Sequence, residues 1–261
     1  MDQHTMAFVG GLHRSGTTLL ASLMADHPQI SGFRNTGAPE DEGQHLQTVC
    51  PIDEHHGGPG RFAFTPEAHM TETSPFAAPE PARRLREQWE RYWDLSRPVL
   101  LEKSPPNLLR FRFLQEVFPN SRFILMMRHP VPVTLSTLKW APALTPRRLV
   151  EHWIHAHEIA LQDTLRLEHC MTVRYENLMA RPAATMAEIA EFLGLPDAFD
   201  AGRVDPKVNR DYFARWRALA SGGGLGEGLD ALESAVNTYG YSLSADAPRG
   251  SSSPLADPWR S

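Results

Sequence analysis

One stretch constrains the fold of this chain more than any other: Phe8-Val9-Gly10-Gly11-Leu12-His13-Arg14-Ser15-Gly16-Thr17-Thr18-Leu19-Leu20. A short apolar run passes through a glycine-rich turn into leucines at helical spacing, which is the order strand, loop, helix. Glycines permit a tight turn and a close backbone approach to a ligand. The start of the helix leaves N–H groups unbonded at the positive end of the helix dipole. The stretch is therefore read as an anion cradle. Gly11 to Gly16 has the Gly-x-x-x-x-Gly spacing of a triphosphate loop, yet Thr17 stands where that loop carries the lysine for the β- and γ-phosphates. Arg14 is the local cation instead, which suits a different anion.

The rest of the chain alternates strands and helices. Thr5–Val9 is almost continuously apolar, as in a strand buried on both faces of a parallel sheet. A helix is predicted over Gly16–His27 and stops at Pro28, and Ile30–Phe33 reads as a short strand. Pro98–Asn107 contains a buried strand that ends in Glu102-Lys103-Ser104, and Arg122–Pro130 an interior strand that ends in Arg128. Met171–Leu178 is a strand leading into a turn. Helices are predicted over Pro81–Trp93, Asn107–Val117, Val131–Trp140, Arg147–Leu167 and Leu229–Tyr239, with another ending at Glu191–Pro196. This alternation predicts an α/β fold, a P-loop-like three-layer domain with a central parallel sheet of about five strands. Ligands of such sheets bind beyond the carboxyl ends of the strands, where Lys103 and Arg128 fall. Residues 1–243 are read as one domain and Ser244–Ser261, rich in Pro, Ser and Gly, as a disordered tail.

Composition narrows the function. A net charge of −5 argues against a general nucleic-acid binder, so a basic site must be local and built for a small anion. No apolar run is long enough to span a bilayer. Met1-Asp2-Gln3-His4 lacks the basic start and following apolar stretch of a secretion signal. Cys50 and Cys170 lie far apart and are read as reduced thiols, so a cytoplasmic protein is expected. The abundance of Arg, Ala and Pro suggests a bacterial source. His55-His56 lacks the partner spacing of a metal site, and no metal is expected. Residues 51–81, rich in Pro, Gly and His, read as a flexible loop that serves as a lid or substrate-binding segment. His152, His155 and His157 do not share one ligand face on their helix and are read as solvated or satisfied.

Arg14-Ser15-Gly16-Thr17-Thr18-Leu19-Leu20 after a strand resembles the 5′-phosphosulfate loop of the sulfotransferases that use 3′-phosphoadenosine 5′-phosphosulfate (PAPS). Lys103-Ser104-Pro105 is similar to the family's Lys-x-Pro setting. Arg128 with Ser136 resembles its 3′-phosphate site. Tyr175-Glu176-Asn177-Leu178 and the late segment Val204–Trp216 resemble the tyrosylprotein-type and bacterial branch. The resemblance spans about residues 5 to 217. It implies a sulfotransferase that moves a sulfuryl group from PAPS to a hydroxyl acceptor (a carbohydrate, lipid, small molecule or peptide tyrosine) and leaves adenosine 3′,5′-bisphosphate. It implies that Arg14, Ser15, Gly16, Thr17, Thr18, Arg128, Ser136, Tyr175, Lys207 and Arg215 bind the cofactor. Lys103 and Arg14 would stabilise charge on the transferring group. Such chemistry needs a general base, and the acidic stretch after the first helix offers Glu42, which is favoured, with Glu40 and His45 as alternatives. Two other classes stay open: a P-loop kinase or NTPase with an atypical loop, and a non-catalytic nucleotide-binding protein.

Overall fold

The computed structural model describes residues 3–200, 202, 204, 210–225 and 227–244. Its centre is strand β1 (Thr5–Gly11), buried from Met6 onward. Helix α1 (Thr17–Ala25) leads to β2 (Ile30–Gly32), and α2 (Pro79–Glu90) precedes β3 (Val99–Lys103). Helix α3 (Phe111–Val117), β4 (Ser121–Met127), α4 (Pro130–Thr137), α5 (Pro146–Thr164) and β5 (Cys170–Arg174) follow. Then come α6 (Tyr175–Ala180), α7 (Pro182–Leu193), α8 (Arg210–Ser221) and α9 (Glu233–Asn237). The five strands pair in parallel in the order β2-β3-β1-β4-β5. The expected α/β architecture is thus observed.

Side chains alternate across each strand and feed two separate cores. Met6 and Phe8 of β1, Leu100 of β3 and Phe123 and Leu125 of β4 join the core containing Trp89 of α2 and Trp153 of α5. Ala7 and Val9, Val99 and Leu101, and Ile124 and Met126 face the other way, onto Leu20 and Leu23 of α1 and Ile189 of α7. Helices therefore cover both faces, giving three layers. The chain leaves β1 toward β2 on one side, whereas it leaves β4 toward β5 on the other. The carboxyl ends of β1 and β4 thus flank the crevice where open α/β sheets bind ligands.

Three segments depart from the sequence expectation. Residues 51–81 are not a loose loop but a series of 3-10 turns at Asp53–His56, Phe62–Phe64, Pro66–Ala68 and Pro75–Ala77. Phe62 is fully buried between His13 and His152, and Ala63 N–H donates to His152 Nε2 at 3.2 Å. Aromatic anchors and prolines at turn starts order this stretch without helical periodicity. The helix expected over 229–239 is instead a 3-10 turn, Asp230–Leu232, followed by the short α9. There the Glu233 carboxylate turns to accept from Ser242 Oγ and Leu243 N. Finally, 107–117 starts as a 3-10 turn, Pro105–Leu109, before α3. Residues 245–261 of the expected tail lie outside the described residues. Among the described residues, no helix is long and apolar enough to cross a membrane.

His152 and His157 are buried rather than solvated, and each finds a partner: the Ala63 amide for His152, the Trp153 carbonyl for His157 Nδ1. Burial pushes His152 down from 6.5 to about 3 and His157 to about 4. Both stay neutral in the fold, while the unfolded chain takes up protons as pH falls below about 6.5. Their contribution to stability is complete above that value and is lost progressively as pH falls toward the folded-state values. His152→Gln keeps an acceptor for the Ala63 amide but cannot titrate. Urea midpoints measured between pH 7 and pH 5 should therefore fall less steeply for the variant than for the wild type. Identical slopes would contradict a buried neutral His152.

Candidate functional site

The turn after β1 is shaped by its backbone. Arg14 and Gly16 both take left-handed φ values, 68° and 100°. A Cβ on Gly16 would lie 2.6 Å from the Tyr175 ring, so position 16 needs glycine twice over. Gly16 caps α1 without a side-chain hydrogen bond, which leaves the first amides of that helix for a ligand. Ser15 Oγ is fully buried and has no hydrogen-bond partner among the described residues. Buried hydroxyls without partners are uncommon, and this one sits in the turn whose amides the sequence reading expects to hold an anion.

Two guanidiniums flank the turn. Arg128, at the end of β4, donates from Nη1 to the Arg14 carbonyl at 2.8 Å and stacks over the Tyr175 ring at 4.0 Å. Burial pushes its pKa down from the ordinary value, with Tyr175 and Glu176 opposing the shift. The Trp153 indole N–H holds the Arg128 carbonyl. Arg14 lies 4.7 Å from the ring centre of Trp140, which is 57% exposed. Ser136 on α4 donates to the Tyr212 hydroxyl at 2.8 Å, and Tyr212 in turn lies 5.7 Å from Arg128.

The second half of the site is carried by β3 and the segment after β2. Lys103 shares its strand face with Val99 and Leu101, the face toward α1. Its ammonium donates to Glu42 Oε1 at 3.0 Å, to the Glu40 carbonyl at 3.0 Å and to Thr18 Oγ1 at 3.2 Å. Three donors meet three acceptors, so the lysine is satisfied although its side chain is only 5% exposed. Gln44 Nε2 donates to Glu42 Oε2 at 2.8 Å, and His45 Nε2 lies 3.8 Å from the same oxygen. Glu40 reaches Lys103 with its backbone; its side chain is exposed. Beside them His13 pairs with Asp53 at 3.1 Å. Burial alone would raise the Asp53 carboxyl, but the hydrogen bond and charge of His13 outweigh it and lower it to about 2.

These halves face one cavity of about 550 Å³, lined by Arg14, Thr17, Thr18, Glu42, Arg128 and Tyr175 among others. Of the residues picked from the sequence, Arg14, Gly16, Thr17, Thr18, Glu40, Glu42, His45, Arg128 and Tyr175 line it, with Lys103 bonded to Glu42 at its wall. Lys207 lies outside the described residues. Arg215 faces solvent on α8, while Phe213 and Trp216 are buried, and no contact among the described residues joins it to the cavity. Tyr212 is the α8 side chain that reaches Arg128. It and Trp140 escape sequence reasoning. The spacing of Tyr212, Phe213, Trp216 and Leu219 marks a packed helix face but not which ring meets a cation. Gln44 and the His13–Asp53 pair escape it too, because only folding brings them together. Among the described residues, no three His, Cys, Asp or Glu side chains converge where a metal ion would sit.

A family model described as the sulfotransferase family matches residues 7–200. The chain is similar to protein-tyrosine sulfotransferase 2 of Gallus gallus, at 27% identity over 199 residues that cover 73% of this chain and 51% of that protein. It is also similar to a Drosophila melanogaster protein-tyrosine sulfotransferase, at 25% identity over 73% of this chain and 38% of that one. The chain thus spans about half or less of the length of these curated relatives. In fold it is similar to the sulfotransferase domain from the curacin biosynthetic pathway, with TM-score 0.54, 17% identity, and coverage of 93% of this chain and 100% of that one. A Mycobacterium tuberculosis H37Rv sulfotransferase gives TM-score 0.56 at 16% identity, with coverage of 90% and 77%.

Arg128 offers a test of what its end of the cavity binds. Arg128→Ala should weaken binding of adenosine 3′,5′-bisphosphate by about ten- to a hundredfold, the weight of a charge-assisted hydrogen bond. The loss for adenosine 5′-phosphate should be much smaller, and calorimetry on both ligands measures the difference. Equal losses would mean that Arg128 acts only by holding the Arg14 carbonyl.

Proposed function

The chain belongs to the sulfotransferase family, and on that premise we propose that it transfers the sulfuryl group of PAPS to a hydroxyl acceptor. The observation that carries this reading is the buried Glu42–Lys103 pair: Glu42 lines the same cavity as the anion turn, and Lys103, bonded to Glu42 and to Thr18, stands behind it at the wall. On this reading Glu42 would supply the carboxylate base, and Lys103 the cation, for a hydroxyl meeting a transferring anion.

The residues fit such a donor. The turn amides, Ser15 Oγ and the Thr17 and Thr18 hydroxyls would hold the 5′-phosphate, with Arg14 beside them. Arg128 and Ser136 would hold the 3′-phosphate, between Tyr175 and Tyr212. The donor supplies an activated sulfuryl group and a bisphosphate leaving group. Glu42 takes the acceptor proton at Oε2, the oxygen not bonded to Lys103, and His45 is the next group outward. Lys103, already held by Thr18 Oγ1, faces the negative charge that develops beside the turn. Thr17 in place of a P-loop lysine and Arg128 at the end of β4 disfavour a triphosphate–magnesium reading. Curated relatives named protein-tyrosine sulfotransferases support a hydroxyl acceptor for this cavity. Two free cysteines support a cytoplasmic enzyme.

Glu42→Gln preserves shape but cannot accept the proton. With labelled PAPS and a panel of hydroxyl acceptors, turnover of this variant should fall by about a hundredfold or more. Its affinity for adenosine 3′,5′-bisphosphate should stay near wild type, and Glu40→Gln and His45→Ala should be milder. Full turnover in Glu42→Gln together with loss in His45→Ala would assign the base to the histidine.

A further inference from the structure

Glu102 adjoins Lys103 in β3 but faces the opposite side of the sheet, the side of Leu100 and Trp89. It is 1% exposed. Such a carboxylate is costly to bury unless it is fully hydrogen-bonded. Here Oε1 accepts from the Gly43 amide at 3.0 Å and from Ser104 Oγ at 2.6 Å. Oε2 accepts from Asn107 Nδ2 at 2.5 Å, and that amide also donates to the Val9 carbonyl. Every partner donates, so the pocket is made for the anion. Burial still raises the group to about 7, against the pull of Ser104, Asn107 and Lys103.

These bonds converge on the two residues that follow Glu42. Ser104 Oγ, while donating to Glu102, accepts from the Gln44 amide at 3.0 Å. The Trp89 indole N–H takes the Gly43 carbonyl at 2.8 Å. A Cβ on Gly43 would lie 2.5 Å from Glu102 Oε1, so the backbone approaches the carboxylate as closely as only glycine permits. On the other side of Glu42 the chain is irregular, with left-handed φ values of 51° at both Glu40 and Asp41. Glu42 itself joins two single 3-10 turns, Pro39–Asp41 and Gly43–His45, and belongs to no α-helix or strand.

We propose that Glu102 is a positioning residue for the acceptor-activating base: by gripping the Gly43 amide directly, and the Gln44 amide through Ser104, it holds Glu42 against Lys103. The inference rests on Glu42 being that base. Glu102 is not among the residues that line the cavity. Its hydrogen bonds lead to the backbone that follows Glu42, and that gives it a signature a merely structural role lacks.

Glu102→Gln keeps the volume and one acceptor but turns an amide N–H₂ toward Asn107. Turnover should fall by about tenfold, as expected for a slightly misplaced catalytic group. Acceptor KM and affinity for adenosine 3′,5′-bisphosphate should stay within about twofold of wild type, because Glu102 contacts neither ligand. In a double-mutant cycle, Glu42→Gln/Glu102→Gln should be no slower than Glu42→Gln alone. Hydrogen exchange read at the Gly43 and Gln44 amides should quicken in Glu102→Gln, while the amides of 15–18 are unchanged. Additive losses in the cycle, or unchanged exchange at 43 and 44 in the folded variant, would overturn the proposal. If Glu42→Gln itself keeps turnover while exchange quickens, the base assignment fails and the grip on 43 and 44 stands. Should Glu102→Gln not fold, Ser104→Ala breaks the link to Gln44 and is read by the same cycle and the same exchange.

Discussion

The buried ion pair between Lys103 and Glu42 ties together the three parts of the site. It joins the end of β3, the start of α1 through Thr18, and the irregular segment 39–45. A buried pair is favourable only when its geometry is good and its remaining donors and acceptors are met. Both conditions hold: the ammonium has three acceptors, and Glu42 Oε2 has Gln44. Removing either member would strand a charge at 5% or 9% side-chain exposure, so the contact proposed for the chemistry also holds the cavity wall.

Sheet geometry explains how two adjacent residues acquire different tasks. Side chains alternate across β3, so Lys103 meets α1 and the anion turn while Glu102 meets the layer of Trp89 and Asn107. The polar end of one strand thus addresses both faces of the sheet. From one face it reaches Glu42 by its side chain, and from the other by the backbone that follows it. The crevice between β1 and β4 adds the two guanidiniums, and Tyr175 at the start of α6 packs against both Gly16 and Arg128.

Much of this was legible in the sequence because it rests on local signals. Continuous apolar runs marked β1, β3 and β4 as interior parallel strands, and the residues at or just past their carboxyl ends, Arg14, Lys103 and Arg128, fell at the expected ligand edge for that reason. Glu42 was legible only as one of three neighbouring candidates, since spacing in an irregular turn does not say which side chain is buried. Segment 51–81 was misread only as a flexible loop, because its order comes from Phe62 and short turns, several of them proline-started, which have no period; Asp53, Glu54 and Pro59 from it line the cavity. Arg215 was taken from motif order, yet the helix phase set by Phe213 and Trp216 turns it to solvent and brings Tyr212 to Arg128. Glu102 was passed over as part of a strand, because its partners lie at positions 43, 104 and 107 and meet only in the fold.

The proposed function requires the anion turn and its two arginines to take a phosphosulfate nucleotide in preference to a triphosphate. Calorimetric titration of the wild-type chain with adenosine 3′,5′-bisphosphate and, separately, with ATP–magnesium tests it most directly. The bisphosphate should bind more tightly by about tenfold or more, because it alone would place a phosphate on Arg128 and Ser136. Clear preference for ATP–magnesium would contradict it.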